Sequence, residues 1–278
     1  MWQKPLCGEV MESKKVLLQG VAGSYSHIFA KSLGYTQIDF VKTFDEVVAK
    51  IQNREYEYGI LPVENTTAGD VRETYDLLDK SSVCYIAMGD IKINHCLLGA
   101  KGSTLKDIKK VSSHPQALMQ CDKFLEEGGY TLYNEFNTAI ASKKLSEEGD
   151  KTHAVIASRL AGEIYGLQVL KENIQNVENN YTKFILLTQN LDKVKENKII
   201  SIALELKDKP NVLGELLNIF TEHHINLTRI QSRNIPNTCF KIRFYIDFEG
   251  SINDEKIIQM LTKISTKCLS MRVRGVYW

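Results

Sequence analysis

Short apolar runs that read as strands alternate with helical stripes from Val16 to Leu187, and no other feature constrains the fold as tightly. Val16-Leu17-Leu18 ends at Gly20 with the punctuation of a strand entering a loop. Ser26 reads as the cap of a helix that runs through Leu33 to Gly34. Thr43-Phe44-Asp45-Glu46 has the spacing of a capping box, with Val47, Val48 and Ile51 as the buried stripe behind it. Tyr58 to Leu61, Val83 to Met88, the residues around Val111, Ala154 to Ala157 and Tyr181 to Leu187 read as further strands. Ile91, Ile93, His95 and Leu97 alternate with Lys92, Asn94 and Cys96, the pattern of a half-buried strand. Pro115 sits where a helix begins, and Gly128-Gly129 closes that helix. Asn137 and Ser158 can cap the next two. This alternation predicts an α/β architecture with a largely parallel sheet.

Residues 188–198 are polar and read as a linker, and beyond them the rhythm changes to β-α-β-β-α-β. Ile200, Ile202, Leu204 and Leu206 alternate on one strand. Val212, Leu213, Leu216, Leu217, Ile219 and Phe220 form one helical face; Ile257, Ile258, Leu261 and Ile264 form another. Ile225 to Ser232, Phe240 to Phe248 and Met271 to Tyr277 complete the strands of a ferredoxin-like order. A length of 278 residues is enough for two domains.

A net charge of +1 gives no pull toward nucleic acid or an anionic membrane. No apolar run approaches the ~20 residues that span a bilayer. The first residues lack the apolar stretch of a secretory signal. The six cysteines are scattered, with no Cys-x-x-Cys pair, and read as reduced thiols; a cytoplasmic protein is expected.

Nucleotide loops, the nucleophile elbow and zinc-protease motifs are missing, and the six histidines do not have metal-ligand spacing. The chain offers instead small hydroxyl and amide side chains at strand-to-helix turns: Ser24 and Ser26, Asn65 to Thr67, Ser113 and Gln116, Asn137 and Thr138, and Ser158. Helix N-termini attract anions, and several of them at the C-terminal ends of strands make a cleft for a small polyanion. Each turn taken alone is also a plain helix cap. Loop 64–69 holds more polar groups than a cap needs.

Several ordered motifs resemble one family, the prephenate dehydratases. Val16-Leu-Leu-Gln-Gly-Val-Ala-Gly-Ser-Tyr-Ser26 is similar to their opening strand and loop. Leu61-Pro-Val-Glu-Asn-Thr-Thr-Ala-Gly69 resembles their Pro-(Ile/Val)-Glu-Asn loop, and Ser113-His-Pro-Gln-Ala-Leu118 matches a segment of theirs without change. His95-Cys96-Leu97-Leu98, Ala154 to Ser158 and Tyr165-Gly166-Leu167 agree as well. Asn179-Asn180-Tyr181-Thr182-Lys183-Phe184 resembles their Thr-Arg-Phe motif. Asp208-Lys209-Pro210, Ile225-Asn226-Leu227-Thr228 and Gln231-Ser232-Arg233 resemble their C-terminal ACT domain.

The resemblance implies two periplasmic-binding-protein-like (type II) subdomains with a cleft between them, then a βαββαβ ACT domain. The expected bounds are an N-terminal extension at 1–14, a catalytic domain at 15–189 and an ACT domain at 199–278. With no chorismate mutase segment before residue 15, a monofunctional enzyme is expected. The implied reaction is the decarboxylating dehydration of prephenate to phenylpyruvate. Aromatisation drives it, so no cofactor and no metal are expected. Matched residue by residue, Thr182 is implied as the catalytic donor. Ser24, Glu64, Asn65, Ser113, Gln116, Asn137, Thr138, Ser158 and Phe184 are implied around the substrate. Asn211, Val212, Leu213, Asn226, Leu227, Ser232 and Arg233 are implied around phenylalanine as feedback effector, between two ACT domains of a homodimer or homotetramer.

Six positions depart from the family pattern. Lys183 replaces the usual arginine and loses its planar fork. On a regular strand it points away from the face that Thr182 and Phe184 share. Ser24 stands where threonine is frequent. Asn211-Val212-Leu213 replaces Gly-Ala-Leu; asparagine tolerates the left-handed backbone that glycine permits. Gln231 and Asn234 flank Ser232-Arg233 where the family has glutamate and proline. His114, just before Pro115, suits a helix start, and Glu64 suits a brace for its loop. Two other readings share the fold: a dehydratase acting on arogenate, and a non-catalytic sensor of a small anion.

Overall fold

The structure, a computed structural model, describes residues 15–191 and 198–277. The expected extension at 1–14, and residues 192–197 of the expected linker, lie outside the described residues. The chain groups into two compact units, residues 15–75 with 89–184, and residues 76–88 with 185–277.

In chain order the elements begin with β1 (Lys15–Gln19), α1 (Tyr25–Ser32), β2 (Gln37–Val41), α2 (Phe44–Gln52) and β3 (Tyr58–Asn65). Strand β1 pairs in parallel with both β2 and β3. Helix α1 is capped by Ser24, whose Oγ accepts from His27 N, so the cap lies two residues before the expected Ser26. Thr43 caps α2 as expected, but the Glu46 carboxylate reaches back to Lys42 N instead of closing on Thr43. The Glu64–Gly69 stretch is tighter than a loop. Glu64 and Asn65 end β3 and pair with Asp70 and Gly69 of β4 (Gly69–Asp70). Next come α3 (Arg72–Lys80) and β5 (Cys84–Lys92).

A second sheet follows, made by β6 (Cys96–Gly99), β7 (Lys110–Ser113), β8 (Thr131–Asn134), β9 (His153–Ala157) and β10 (Gln168–Lys171) in the order β10-β6-β9-β7-β8. Strand β7 runs parallel to β8 and β9, while β6 is antiparallel to β9 and β10. The sheets are therefore mixed, with antiparallel strands beside parallel cores. Helices α4 (Pro115–Met119), α5 (Asp122–Gly128), α6 (Thr138–Glu148) and α7 (Arg159–Tyr165) cover this sheet. Ala154 and Ile156 point into one apolar cluster with Leu118 and Leu125; Val155 and Ala157 point into another with Leu145 and Ala161. Burial on both faces explains why β9 is apolar at consecutive positions. The single helix expected after Pro115 is broken at Gln120 and Cys121. Strand β11 (Tyr181–Thr188) carries Thr182.

The second unit contains β12 (Ile199–Leu206), α8 (Val212–Glu222), β13 (Leu227–Asn234), β14 (Ile242–Glu249), α9 (Glu255–Ser265) and β15 (Cys268–Tyr277). This is the expected βαββαβ order. Its antiparallel strands lie as β13-β14-β12-β15, and β15 also meets β5 at Gly275 and Tyr85. Leu216, Ile219 and Phe220 of α8 and Ile257, Met260 and Ile264 of α9 are buried against the sheet.

Candidate active site

The first unit holds a cavity of about 590 Å³. Three helix starts line it: Thr43 and Phe44 at α2, His114 to Ala117 at α4, and Asn137 and Thr138 at α6. Their caps are made locally. Thr43 Oγ1 accepts from Glu46 N, His114 Nδ1 from Gln116 N, and Asn137 Oδ1 from Ile140 N. His114 thus caps with an unprotonated Nδ1, and desolvation holds its pKa below the usual value. The α2 and α6 termini supply positive partial charge, and Lys42 adds a cation to the wall. Glu73 and Glu135 add carboxylates, the latter paired with Lys144 at 2.6 Å.

Asn65 and Thr182 meet on this wall. Asn65 Oδ1 accepts from Thr67 N (3.0 Å), Ala68 N (2.9 Å) and Thr67 Oγ1 (2.7 Å). Backbone N–H groups only donate, so the amide oxygen must face them. The amide nitrogen therefore faces strand β11, where it reaches Asn180 Oδ1 at 2.8 Å, Tyr181 O at 3.0 Å and Thr182 Oγ1 at 2.9 Å. Thr182 Oγ1 accepts in this contact, and its own hydrogen has no acceptor among the described residues. The hydroxyl is thus a donor available to the cavity. Asn180 Nδ2, buried beside it, also has no partner among the described residues.

The expected catalytic residue Thr182 lines the cavity, as do Asn65, Gln116, Asn137 and Thr138 of the expected substrate residues. Ser24, Glu64, Ser113, Ser158 and Phe184 are not on its wall, for identifiable reasons. Ser24 Oγ caps α1, beside Gly20, which also lies next to Asn137. Ser113 is fully buried and donates to Ile156 O at 2.7 Å, tying β7 to β9. Ser158 caps α7 and donates to Gly23 O at 2.6 Å. Phe184 is buried in a stack on Phe29, with centroids 5.4 Å apart. Glu64 pairs with Lys183 at 3.4 Å, both side chains about a third exposed. Sequence reasoning missed Gln19, Tyr25, Lys42, Glu73, Gln120 and Phe136 on the wall. None carries a local signal; Tyr25 and Gln120 are placed by partners far along the chain. Among the described residues no group of three His, Cys, Asp or Glu side chains is placed to hold a metal ion. No helix among them is long and apolar enough to cross a membrane.

In the second unit, Asn211 stands at the N-terminal boundary of α8, without a side-chain cap bond, in the left-handed conformation (φ 61°) that its sequence position anticipated. Val212 and Leu213 follow in the first turn, while Asn226 and Leu227 lie beyond the other end of α8. Nine helical residues, about 14 Å of helix, separate the two groups. Asn226 Nδ2 donates to Glu249 at 3.2 Å, and Arg233 pairs with Asp76 at 3.7 Å. Ser232 is on the exposed face of β13, opposite Arg233.

A family model described as prephenate dehydratase matches residues 16–192, and one described as ACT domain matches residues 200–265. A bifunctional chorismate mutase/prephenate dehydratase of Buchnera aphidicola is 33% identical over 93% of this chain and 69% of its own length. An arogenate dehydratase/prephenate dehydratase of Arabidopsis thaliana is 32% identical over 95% of this chain and 72% of its own. Among solved structures, a protein described as GqqA, a quorum-quenching acylase, aligns with a TM-score of 0.85 at 26% identity, covering 95% of this chain and 97% of that one. Prephenate dehydratase from Arthrobacter aurescens, solved in complex with L-Phe, aligns with a TM-score of 0.82 at 23% identity over 95% of this chain and 89% of that one.

Proposed function

Because the chain belongs to the prephenate dehydratase family and carries an ACT domain, we propose that it converts prephenate to phenylpyruvate, carbon dioxide and water, with Thr182 donating to the departing hydroxyl. The observation that carries this is the fixed orientation of Asn65, which leaves the Thr182 hydrogen free to donate into the cavity. In the reaction the bond from the ring to its carboxylate breaks. Its electron pair enters the ring, the C–OH bond breaks, and one proton joins the leaving oxygen as water. The protein needs to hold a dianion and aim one donor. Lys42 and the starts of α2 and α6 suit the carboxylates, and Gln116, Asn137 and Thr138 supply polar contacts. Asn65 sharpens the donor, since a hydroxyl that accepts a hydrogen bond donates more strongly.

Arogenate is a second reading. Glu73 places a carboxylate on the wall, which suits the ammonium group that distinguishes arogenate from prephenate. An acylase reading gains less. A nucleophilic hydroxyl needs a base to take its proton, and the group Asn65 presents to Thr182 is an N–H donor.

The second unit is proposed to bind phenylalanine between two copies of the chain. Val212 and Leu213 of one copy would lie near Leu227 of the other, with Asn211 and Asn226 as polar contacts and Ser232 and Arg233 alongside. The roughly 14 Å of α8 between these groups within one chain favours a shared site. A homo-oligomer working in the cytoplasm follows from this reading.

Thr182→Ala tests the central assignment. Losing one well-aimed donor typically lowers turnover about 10²–10³-fold. The expected result is that loss in kcat with an unchanged melting temperature, and partial retention in Thr182→Ser. Near-normal turnover in Thr182→Ala overturns the assignment.

A further inference from the structure

Hydrogen bonds run from Thr182 to a buried histidine on the far side of Asn65, and their direction can be read from one end. Thr67 Oγ1 lies 2.7 Å from Asn65 Oδ1, an atom that only accepts, so the Thr67 hydroxyl donates there. Its lone pairs then take Gln120 Nε2 at 2.8 Å. That contact orients the Gln120 amide, so Gln120 Oε1, 3.0 Å from His95 Nε2, needs a proton on that nitrogen. In a neutral ring His95 Nδ1 then carries a lone pair and faces Tyr25 Oη at 3.2 Å, whose single hydrogen is shared between that nitrogen and Asn94 O, 2.9 Å away. His95 is 2% exposed, its backbone N–H is held by Gln175 Oε1 at 2.9 Å, and its ring stands edge-on to Tyr25. Burial lowers its pKa, in keeping with a neutral ring.

We propose that His95 is a positioning residue for Thr182: as the Nε2–H tautomer it fixes Gln120, through Gln120 it fixes Thr67, and through Thr67 it fixes the Asn65 amide that aims the Thr182 hydroxyl. This deepens the proposed dehydratase reading and rests on it. The break between α4 and α5 belongs to the same device. It frees Gln120 from a regular helix so that its amide reaches both His95 and Thr67. A histidine that only filled the core would be replaceable by any side chain of its size.

Two measurements test this. Two-bond ¹H–¹⁵N spectra of protein labelled with ¹⁵N-histidine read the tautomer without substrate, with His95 assigned by its loss in His95→Gln. The expected ring carries its proton on Nε2 and none on Nδ1 at neutral pH. An Nδ1–H tautomer or a doubly protonated ring overturns the proposal. In steady-state kinetics, His95→Leu is expected to lower kcat about tenfold with KM within about twofold, as for a lost hydrogen bond felt in the transition state. His95→Gln, which keeps an N–H near the Nε2 position, recovers most of that loss. In a Thr182→Ala background His95→Leu adds less than about twofold, because the two act as one unit. Wild-type kcat in His95→Leu, or an equal loss in both backgrounds, overturns the proposal. A wild-type protein that turns over neither prephenate nor arogenate defeats the dehydratase reading instead, and the tautomer then decides His95 by itself.

Discussion

Thr182, Lys183 and Phe184 show how a strand assigns work to consecutive residues. Thr182 turns to the cavity and Phe184 is buried behind it on Phe29, while Lys183 points the other way to Glu64 at 3.4 Å. The replacement of arginine by lysine therefore falls in a brace between β3 and β11 and not on the cavity wall. Partly exposed pairs of this kind contribute about 0.2–1 kcal/mol. Lys183→Met is expected to lower stability by no more than about 1 kcal/mol in a denaturant melt, and to leave kcat within about threefold. A loss of turnover comparable to that of Thr182→Ala would put the lysine on the substrate side.

The elements are held in register by contacts that join distant parts of the first unit. The loop between β1 and α1 packs on α7. Ser158 Oγ donates to Gly23 O, Tyr165 Oη donates to Ala22 O at 3.0 Å, and Gly23 has φ +87°. A Cβ at Gly23 would lie 2.7 Å from Ala161 Cα. Backbone strain and overpacking each cost about 1–3 kcal/mol, so Gly23→Ala is expected to destabilise the protein by about 2–6 kcal/mol. Unfolding by urea reads this directly, and a wild-type midpoint would show that the loop is not seated on α7. Strands such as β9 and β11 and the faces of α2, α8 and α9 were legible in the sequence because their signal is local: periodicity, caps and glycine. The break at Gln120 was not. Its side chain is drawn out by His95 and Thr67, 25 and 53 positions away. Ser113 and Ser158 look like ligand-facing hydroxyls in sequence for the same reason, since the carbonyls they bind are distant.

At the scale of the molecule, contacts gather residues 76–88 with 185–277, a division that no composition shift announces. One pairing behind it, Gly275 with Tyr85, joins β15 to β5 across most of the chain length. The polar stretch at 188–198 marked where the rhythm of the chain changes, and the βαββαβ order beyond it was legible because each helix carries its own apolar stripe. The cavity, by contrast, is built from side chains between Gln19 and Thr182, so its wall emerges only when the first unit is folded. The most direct test of the account is the release of phenylpyruvate by purified protein given prephenate, with arogenate as the parallel substrate and phenylalanine as an added effector. The account predicts phenylpyruvate from prephenate in catalytic amounts, at a higher kcat/KM than the phenylalanine formed from arogenate, and a lower rate when phenylalanine is added. No phenylpyruvate above the uncatalysed rate would contradict it.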